Sequence, residues 1–120
     1  MKPRVLIVED DPSIRLGLQE LLGSEGYETS VCLRGDRALE TVQREAPCLI
    51  LLDVMLPKVN GYEVCRLLRQ AGIRTPILML TTESSDEMKQ AGRAAGATGW
   101  MVKPFDPARL IEVIGKVLPR

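Results

Sequence analysis

Short apolar runs alternate with amphipathic segments along the whole chain. Three runs are continuously hydrophobic, at residues 5–8, 49–52 and 77–80, and two weaker ones lie at 28–33 and 99–102. Continuous hydrophobicity is typical of strands that are buried on both faces. The pattern therefore predicts five strands in a sheet that other elements cover on both sides.

Between the strands, apolar residues recur at the i, i+3 and i+4 spacing of one helix face. The positions that carry this spacing are Ile14, Leu18, Leu21 and Leu22; Ala38 and Val42; Val64, Leu67 and Leu68; and Leu110, Val113, Ile114, Val117 and Leu118. A further helix is predicted at 84–95, with Gly92 and several alanines. An interior glycine costs about 1 kcal/mol relative to alanine. Because this helix also has little apolar surface, we expect it to be movable.

Four of the predicted helices begin with capping signals. These are Asp11 before Pro12, Asp106 before Pro107, Asn60 with Glu63, and Ser84 with Glu87. A polar N-cap side chain accepts from free backbone N–H groups, and proline suits the first helical position. Strands alternating with helices predict one doubly wound α/β domain over residues 1–120, a five-stranded parallel sheet with five helices and right-handed crossovers.

Composition narrows the classes of function. With 16 basic and 16 acidic residues the formal net charge is zero, so no long-range field attracts nucleic acid or an anionic membrane. We therefore expect no direct binding to nucleic acid or to a membrane. The chain has no histidine, which excludes Ser-His-Asp hydrolysis and imidazole metal sites. Any chemistry is left to carboxylates, hydroxyls and lysine.

The cysteines and the N-terminus bear on the cellular compartment. Cys32, Cys48 and Cys65 are odd in number, widely spaced and without a CxxC pair, which predicts buried free thiols. The first apolar run turns acidic after a few residues, so it is too short for a signal peptide or a membrane span. Both features predict a cytoplasmic protein.

Polar residues follow the predicted strands at their carboxyl ends, where open parallel sheets bind ligands. They are Glu9, Asp10, Asp53, Thr81 and Lys103. Three neighbouring acids raise one another's pKa unless a cation intervenes, and hard oxygen ligands suit Mg²⁺. Acids after a strand can also merely cap the next helix, which is the role we assign to Asp11. Capping does not account for Glu9 and Asp10.

Thr81 and Lys103 have the chemistry that complements such an acidic site. A hydroxyl and an ammonium would hold the outer oxygens of a phosphoryl group and neutralise charge during its transfer. Asp53 would then be the nucleophile, since a carboxylate accepts a phosphoryl group as an acyl phosphate. Taken singly, a threonine after a strand is usually a turn residue and a lone lysine is usually solvated. The hypothesis depends on their convergence.

The chain resembles the receiver domain of two-component response regulators over its whole length. The resemblance is carried by VLIVEDD, LILLDVMLPKVNGYE, PILMLTTES and GWMVKPFDPARLIEVI, in that order. It implies the flavodoxin-like receiver fold, Asp53 as the phosphoacceptor, Thr81 as the switch hydroxyl and Lys103 as the phosphoryl-binding lysine. It further implies that Trp100 is the aromatic switch residue and that the Lys103 to Pro104 bond is cis.

The resemblance also implies a Mg²⁺ ligand set. Asp10 and Asp53 would bind the ion directly, Glu9 through water, and the backbone carbonyl of Met55 would be a further ligand. Thr82, Met55 and Glu83 flank the pocket at positions where the family tunes the rate of hydrolysis. The residue types alone do not give that rate, so the lifetime of the phosphorylated form stays open.

By this resemblance, the function is a phosphorylation-activated signalling switch. Its phosphoryl group would come from a partner histidine kinase, and a downstream protein would bind the last strand and the last two helices. The chain would assist its own phosphorylation and dephosphorylation without being an enzyme that turns over a metabolite.

Two rivals have weaker support. A phosphohydrolase with an aspartate nucleophile commonly has a second acid two residues later, where this chain has Met55. A flavin carrier needs a phosphate loop rich in Ser, Thr and Gly after the first strand, where this chain has Glu9-Asp10-Asp11.

Two parts of the sequence resemble two kinds of regulator that differ in their downstream role. Residues 81–105 resemble single-domain chemotaxis regulators, which bind a flagellar motor switch protein, whereas 53–69 resemble regulators with a DNA-binding domain. We expect a stand-alone receiver, the alternative being a receiver excised from a larger DNA-binding or enzymatic regulator.

Overall fold

The computed structural model describes residues 2–82 and 85–118. In chain order its elements are β1 (Arg4–Val8), α1 (Pro12–Ser24), β2 (Glu28–Cys32), a short 3-10 helix (Gly35–Arg37), α2 (Ala38–Glu45), β3 (Leu49–Asp53), α3 (Gly61–Gln70), β4 (Ile77–Thr81), α4 (Asp86–Ala95), β5 (Gly99–Val102) and α5 (Pro107–Val117). The strands form one parallel sheet in the order β2-β1-β3-β4-β5. The predicted doubly wound α/β fold is confirmed.

The sheet separates two hydrophobic layers, because successive residues of a strand point to opposite faces. Val5 and Ile7 of β1 pack in one layer with side chains of α1 and α5. Leu6 and Val8 pack in the other layer with side chains of α2, α3 and α4. Every residue of β3 and β4 is buried, as their continuous apolar runs predict. Each buried Leu or Ile contributes about 1.5–3 kcal/mol to holding the layers together.

Three predicted helix caps are confirmed and the fourth is corrected. The side chains of Asp11, Asn60 and Asp106 accept from backbone N–H groups in the first turns of α1, α3 and α5. The cap of α4 is Ser85, whose hydroxyl accepts from the Met88 N–H at 3.3 Å. The predicted cap Ser84 lies outside the described residues. Two consecutive serines carry the same local signal, and Ser85 has the extended backbone that an N-cap requires.

All three cysteines are free, but one is less buried than predicted. Cys32 and Cys65 are buried, whereas Cys48 is half-buried and its thiol donates to the Arg4 carbonyl at 3.2 Å. Burial raises the pKa of the Cys48 and Cys65 thiols, which keeps them protonated. Within the described part of the chain, no helix has the length and hydrophobicity to span a bilayer.

Candidate functional site

The three acids of the sequence hypothesis meet at the carboxyl edge of the sheet. β1 and β3 are neighbours and Val8 is in register with Leu52, so the next residues, Glu9 and Asp53, leave the sheet side by side. Glu9, Asp10 and Asp53 each offer a carboxylate oxygen, and these oxygens lie within 4.8 Å of one another. The structure therefore brings together the three carboxylates that the sequence placed at adjacent strand ends.

Their exposure to solvent differs sharply. Glu9 is 1% exposed and Asp53 is 3% exposed, whereas Asp10 is exposed. The Asp11 N–H donates to Glu9 Oε2 at 3.3 Å, and the Met55 N–H donates to Asp53 Oδ1 at 3.1 Å. The site therefore has two buried carboxylates at its base and one exposed carboxylate at its opening to solvent.

Lys103 joins the two buried acids. Its Nζ donates to Glu9 Oε1 at 2.9 Å and to Asp53 Oδ1 at 3.0 Å. It follows the last residue of β5, which is held beside β4 by the pairing of Thr81 with Val102. The Lys103 to Pro104 peptide bond is cis, as predicted. One ammonium group therefore partly neutralises two buried carboxylates.

Two of these groups have shifted pKa values. Burial, and then the hydrogen bond with Asp53, raise the pKa of Glu9 from 4.5 to about 7, although the Lys103 ammonium opposes this shift. Burial would lower the pKa of Lys103, but its hydrogen bonds to Glu9 and Asp53 outweigh burial and raise it. The lysine therefore stays charged at neutral pH, and the pKa of Glu9 lies well above the ordinary range of a glutamate.

We expect Glu9→Gln to stabilise the metal-free protein at pH 8 and to matter much less at pH 5. The folded state binds the Glu9 proton more tightly than the unfolded state. Its contribution to stability is therefore full below the unfolded pKa of 4.5 and is lost as pH rises through the folded pKa of about 7. A neutral amide avoids that loss, on the order of 2 kcal/mol.

Urea unfolding in EDTA at both pH values measures this effect. Glu25→Gln, at an exposed glutamate after α1, is the control for removing one carboxylate. The same difference between wild type and Glu9→Gln at pH 5 and pH 8 would contradict the prediction.

Thr81 lies on β4, the strand beside β3, and Trp100 lies on β5, the next strand out. Thr81 ends β4, one residue beyond Leu80, which is in register with Asp53. Trp100 lies on β5 in register with Met79 and is half-buried. A cavity of about 10 Å³ between them is lined by Tyr62, Met79, Thr81, Met88, Lys89, Gly92 and Trp100. Such a volume holds at most one water molecule.

An apolar groove opens on the other side of the site. It has a volume of about 720 Å³, and its lining includes Ile14, Leu18 and Leu21 of α1 and Phe105 of the loop before α5. Lys103 and Thr82 line the same groove, so that it adjoins the buried carboxylates. The remaining predicted residue at the rim, Glu83, lies outside the described residues.

Two contacts could not have been found from the sequence. The Arg93 guanidinium lies over the Trp100 ring, 5.6 Å from its centroid, and the Tyr62 hydroxyl donates to the Met88 carbonyl at 3.4 Å. Both contacts connect α4 with other elements. Neither has a local signal, because each depends on how α4 is rotated against its neighbours.

Comparison with known proteins agrees with this architecture. A family model described as the response regulator receiver domain matches residues 5–115. The chain is 41% identical over 120 residues to the alkaline phosphatase synthesis transcriptional regulatory protein PhoP of Bacillus subtilis, covering 100% of this chain and 50% of that protein. It therefore spans about half the length of the curated relatives that it matches.

Solved structures show the same fold over almost the whole chain. The chemotaxis protein CheY4 of Vibrio cholerae is 42% identical, with a TM-score of 0.93 and coverage of 98% of this chain and 100% of that one. The BeF3-activated receiver domain of Klebsiella pneumoniae RstA is 36% identical, with a TM-score of 0.92 and coverage of 98% and 99%. By the matched family model, the identity and the shared fold, the chain belongs to the response regulator receiver domain family.

Proposed function

We propose that Asp53 is the residue that accepts the phosphoryl group in this receiver. Receiver domains are signalling switches that take phosphate from histidine kinases and relay the signal to output domains. The observation that carries the assignment is that the Lys103 ammonium lies 3.0 Å from Asp53 Oδ1 at the buried base of an acidic pocket. Within that pocket Glu9 is also buried, and Asp10 lies at the open rim.

The donor set fits a divalent cation. Three carboxylates with oxygens within 4.8 Å of one another offer only hard ligands, and the exposed Asp10 leaves the site open to water. Asp10 and Asp53 would hold Mg²⁺ directly, with Glu9 acting through water and the Met55 carbonyl as a further ligand. When bound, the ion would neutralise charge on the phosphoryl oxygens and so permit attack by a carboxylate.

Three residues of the chain would then have separate roles in phosphoryl transfer. An Asp53 carboxylate oxygen attacks phosphorus, a P–O bond forms, and the donor's P–N bond breaks with its electron pair leaving on the imidazole. The Lys103 ammonium, already beside Asp53, moves its hydrogen bond to a phosphoryl oxygen. The Thr81 hydroxyl donates to another, so that charge is balanced as it develops. Attack by water on the acyl phosphate would reset the switch.

We expect Mg²⁺ to stabilise the fold and Asp10→Ala to lose most of that effect. A ligand that binds only the native state adds about 1.4 kcal/mol at ten times its Kd. The measurement is the melting temperature with and without Mg²⁺, with Glu112→Ala as the control at an exposed acid on α5. Equal Mg²⁺ shifts in wild type and Asp10→Ala would exclude Asp10 as a principal ligand.

We propose that phosphorylation is transmitted by Thr81 and Trp100. When Thr81 moves toward the phosphoryl oxygens, it vacates space behind it, and Trp100 can turn inward. The present cavity of about 10 Å³ is too small for an indole, so the inward turn needs the space that Thr81 vacates. A charge-assisted hydrogen bond contributes about 1.5–3 kcal/mol, enough to change the ratio of two states by roughly tenfold to a hundredfold.

The emission of Trp100, the single tryptophan of the chain, tests this step. We expect beryllofluoride, a phosphoryl mimic, to change the emission of the Mg²⁺-saturated wild type and to change that of Thr81→Ala much less. Calorimetry confirms that the mimic binds. An unchanged wild-type spectrum with the mimic bound would leave Trp100 as a packing residue.

The apolar groove and the β5 edge of the sheet suggest where partners bind. A donor kinase seated in the groove beside Lys103 would present its phosphohistidine to Asp53. The output face would comprise α4, β5 and α5, where Val102 is 37% exposed on the edge strand. We propose a protein partner there, whether a separate protein or an attached output domain.

A further inference from the structure

Two consecutive residues of α4 lie beside the indole of Trp100. The guanidinium carbon of Arg93 lies 5.6 Å from the ring centroid. A Cβ atom added at Gly92 would lie 3.9 Å from Trp100 Cε3. Arg93 is exposed and Gly92 is buried. The orientation of the indole is therefore defined by α4 as well as by its own strand.

Arg93 stabilises the observed orientation. Among the residues that the structure describes, no carboxylate lies within salt-bridge distance of its guanidinium, so the ring is its principal partner. A guanidinium within about 6 Å of an indole centroid is attracted by the electron-rich face of the ring. Rotation of the indole out of this orientation would break this contact.

Gly92 is a glycine that neither the backbone nor the observed packing requires. It lies inside a helix without a positive φ, where alanine is the better helix former. An added Cβ would meet Trp100, Tyr62 and Ala97 at 3.9 Å, which is ordinary contact. Gly92 also lines the small cavity behind Thr81. A methyl group fits this state, but it would occupy space along the path into that cavity.

We propose that Arg93 and Gly92 are positioning residues of the switch, which act through Trp100. Arg93 holds the indole in its resting orientation, and Gly92 leaves the clearance through which the indole turns. This inference rests on the proposed Thr81 and Trp100 switch. It adds that α4 helps to set the fraction of molecules in which Trp100 has its resting orientation. It predicts opposite effects for substitutions at two adjacent residues.

The test is the apparent affinity of Mg²⁺-saturated protein for beryllofluoride, measured by calorimetry and by Trp100 emission. Arg93→Gln should tighten binding about two- to fivefold, because the resting state loses its cation–π contact. Gly92→Ala should weaken binding about fivefold or more, because the added methyl group crowds the turned state. Gly92→Ala should also raise the melting temperature, which shows that weaker binding is not misfolding.

Matched controls separate this mechanism from general effects. Gly23→Ala makes the same exchange in α1, where an added Cβ would meet nothing within 4 Å. Arg74→Gln removes one exposed charge before β4. Neither should change the affinity. In a Trp100→Leu background, followed by calorimetry, the Arg93 and Gly92 substitutions should lose their effects, since they act through the indole.

The outcomes are distinguishable. If Gly92→Ala and Gly23→Ala shift the affinity alike, or if both effects persist without Trp100, the inference is overturned while the proposed switch stands. If wild-type emission fails to respond to bound beryllofluoride, the proposed switch itself is wrong. The roles proposed for Arg93 and Gly92 are then wrong as well.

Discussion

Asp53→Asn is expected to abolish phosphorylation of the chain by a small acyl phosphate or phosphoramidate donor. The amide is a poor nucleophile and cannot form the acyl phosphate, so the loss should be complete within detection. Asp53 is 3% exposed and bonded to Lys103, and an amide oxygen can still accept that hydrogen bond, so the fold should survive.

Intact-mass measurement after incubation with donor and Mg²⁺ decides this prediction. The wild type should gain the mass of one phosphoryl group. Asp10→Asn makes the same carboxylate-to-amide exchange at a proposed Mg²⁺ ligand, so its phosphorylation should be slowed without loss of the acceptor. A full phosphoryl adduct on Asp53→Asn at neutral pH would show that another residue is the acceptor.

Gly61→Ala is expected to destabilise the protein by about 3 kcal/mol or more, and to disturb the backbone at the end of β3 that carries Asp53. An added Cβ would lie 2.3 Å from the Asp53 carbonyl oxygen and 2.8 Å from Val54 Cα. Both are backbone atoms of a buried segment and cannot swing aside as a flexible side chain can. The Gly61 N–H also donates to the Val54 carbonyl at 2.8 Å, and a retreat of α3 would break this bond.

The free energy of unfolding in urea measures this loss. Gly115→Ala in α5 is the matched control, since an added Cβ there would meet nothing within 4 Å and the exchange should be neutral or slightly stabilising. If Gly61→Ala unfolds at the same urea concentration as the wild type, the close approach of α3 to the Asp53 backbone is not a constraint on stability.

The pattern of apolar residues was sufficient to predict the architecture. Strands buried on both faces need continuous apolar runs, which is why β3 and β4 were recognisable before any contact was known. Caps are also local, since Asp11, Asn60 and Asp106 bond to N–H groups two or three residues later. Parallel strands then align their carboxyl ends, so the grouping of Glu9, Asp10 and Asp53 followed from topology alone.

The tertiary structure decided what depends on distances between remote segments. Lys103 donates hydrogen bonds to Glu9 and Asp53, which lie 94 and 50 positions away in the chain. Burial of the Glu9 carboxyl among these remote segments raises its pKa. The depth of Cys48 also depended on packing, because the sequence shows that a segment is apolar and not how deeply each atom is covered. The same reason applies to Arg93 and Trp100: a sequence determines which face of α4 is apolar, but only the packed position of the helix decides which of its polar side chains lies over an indole on another strand.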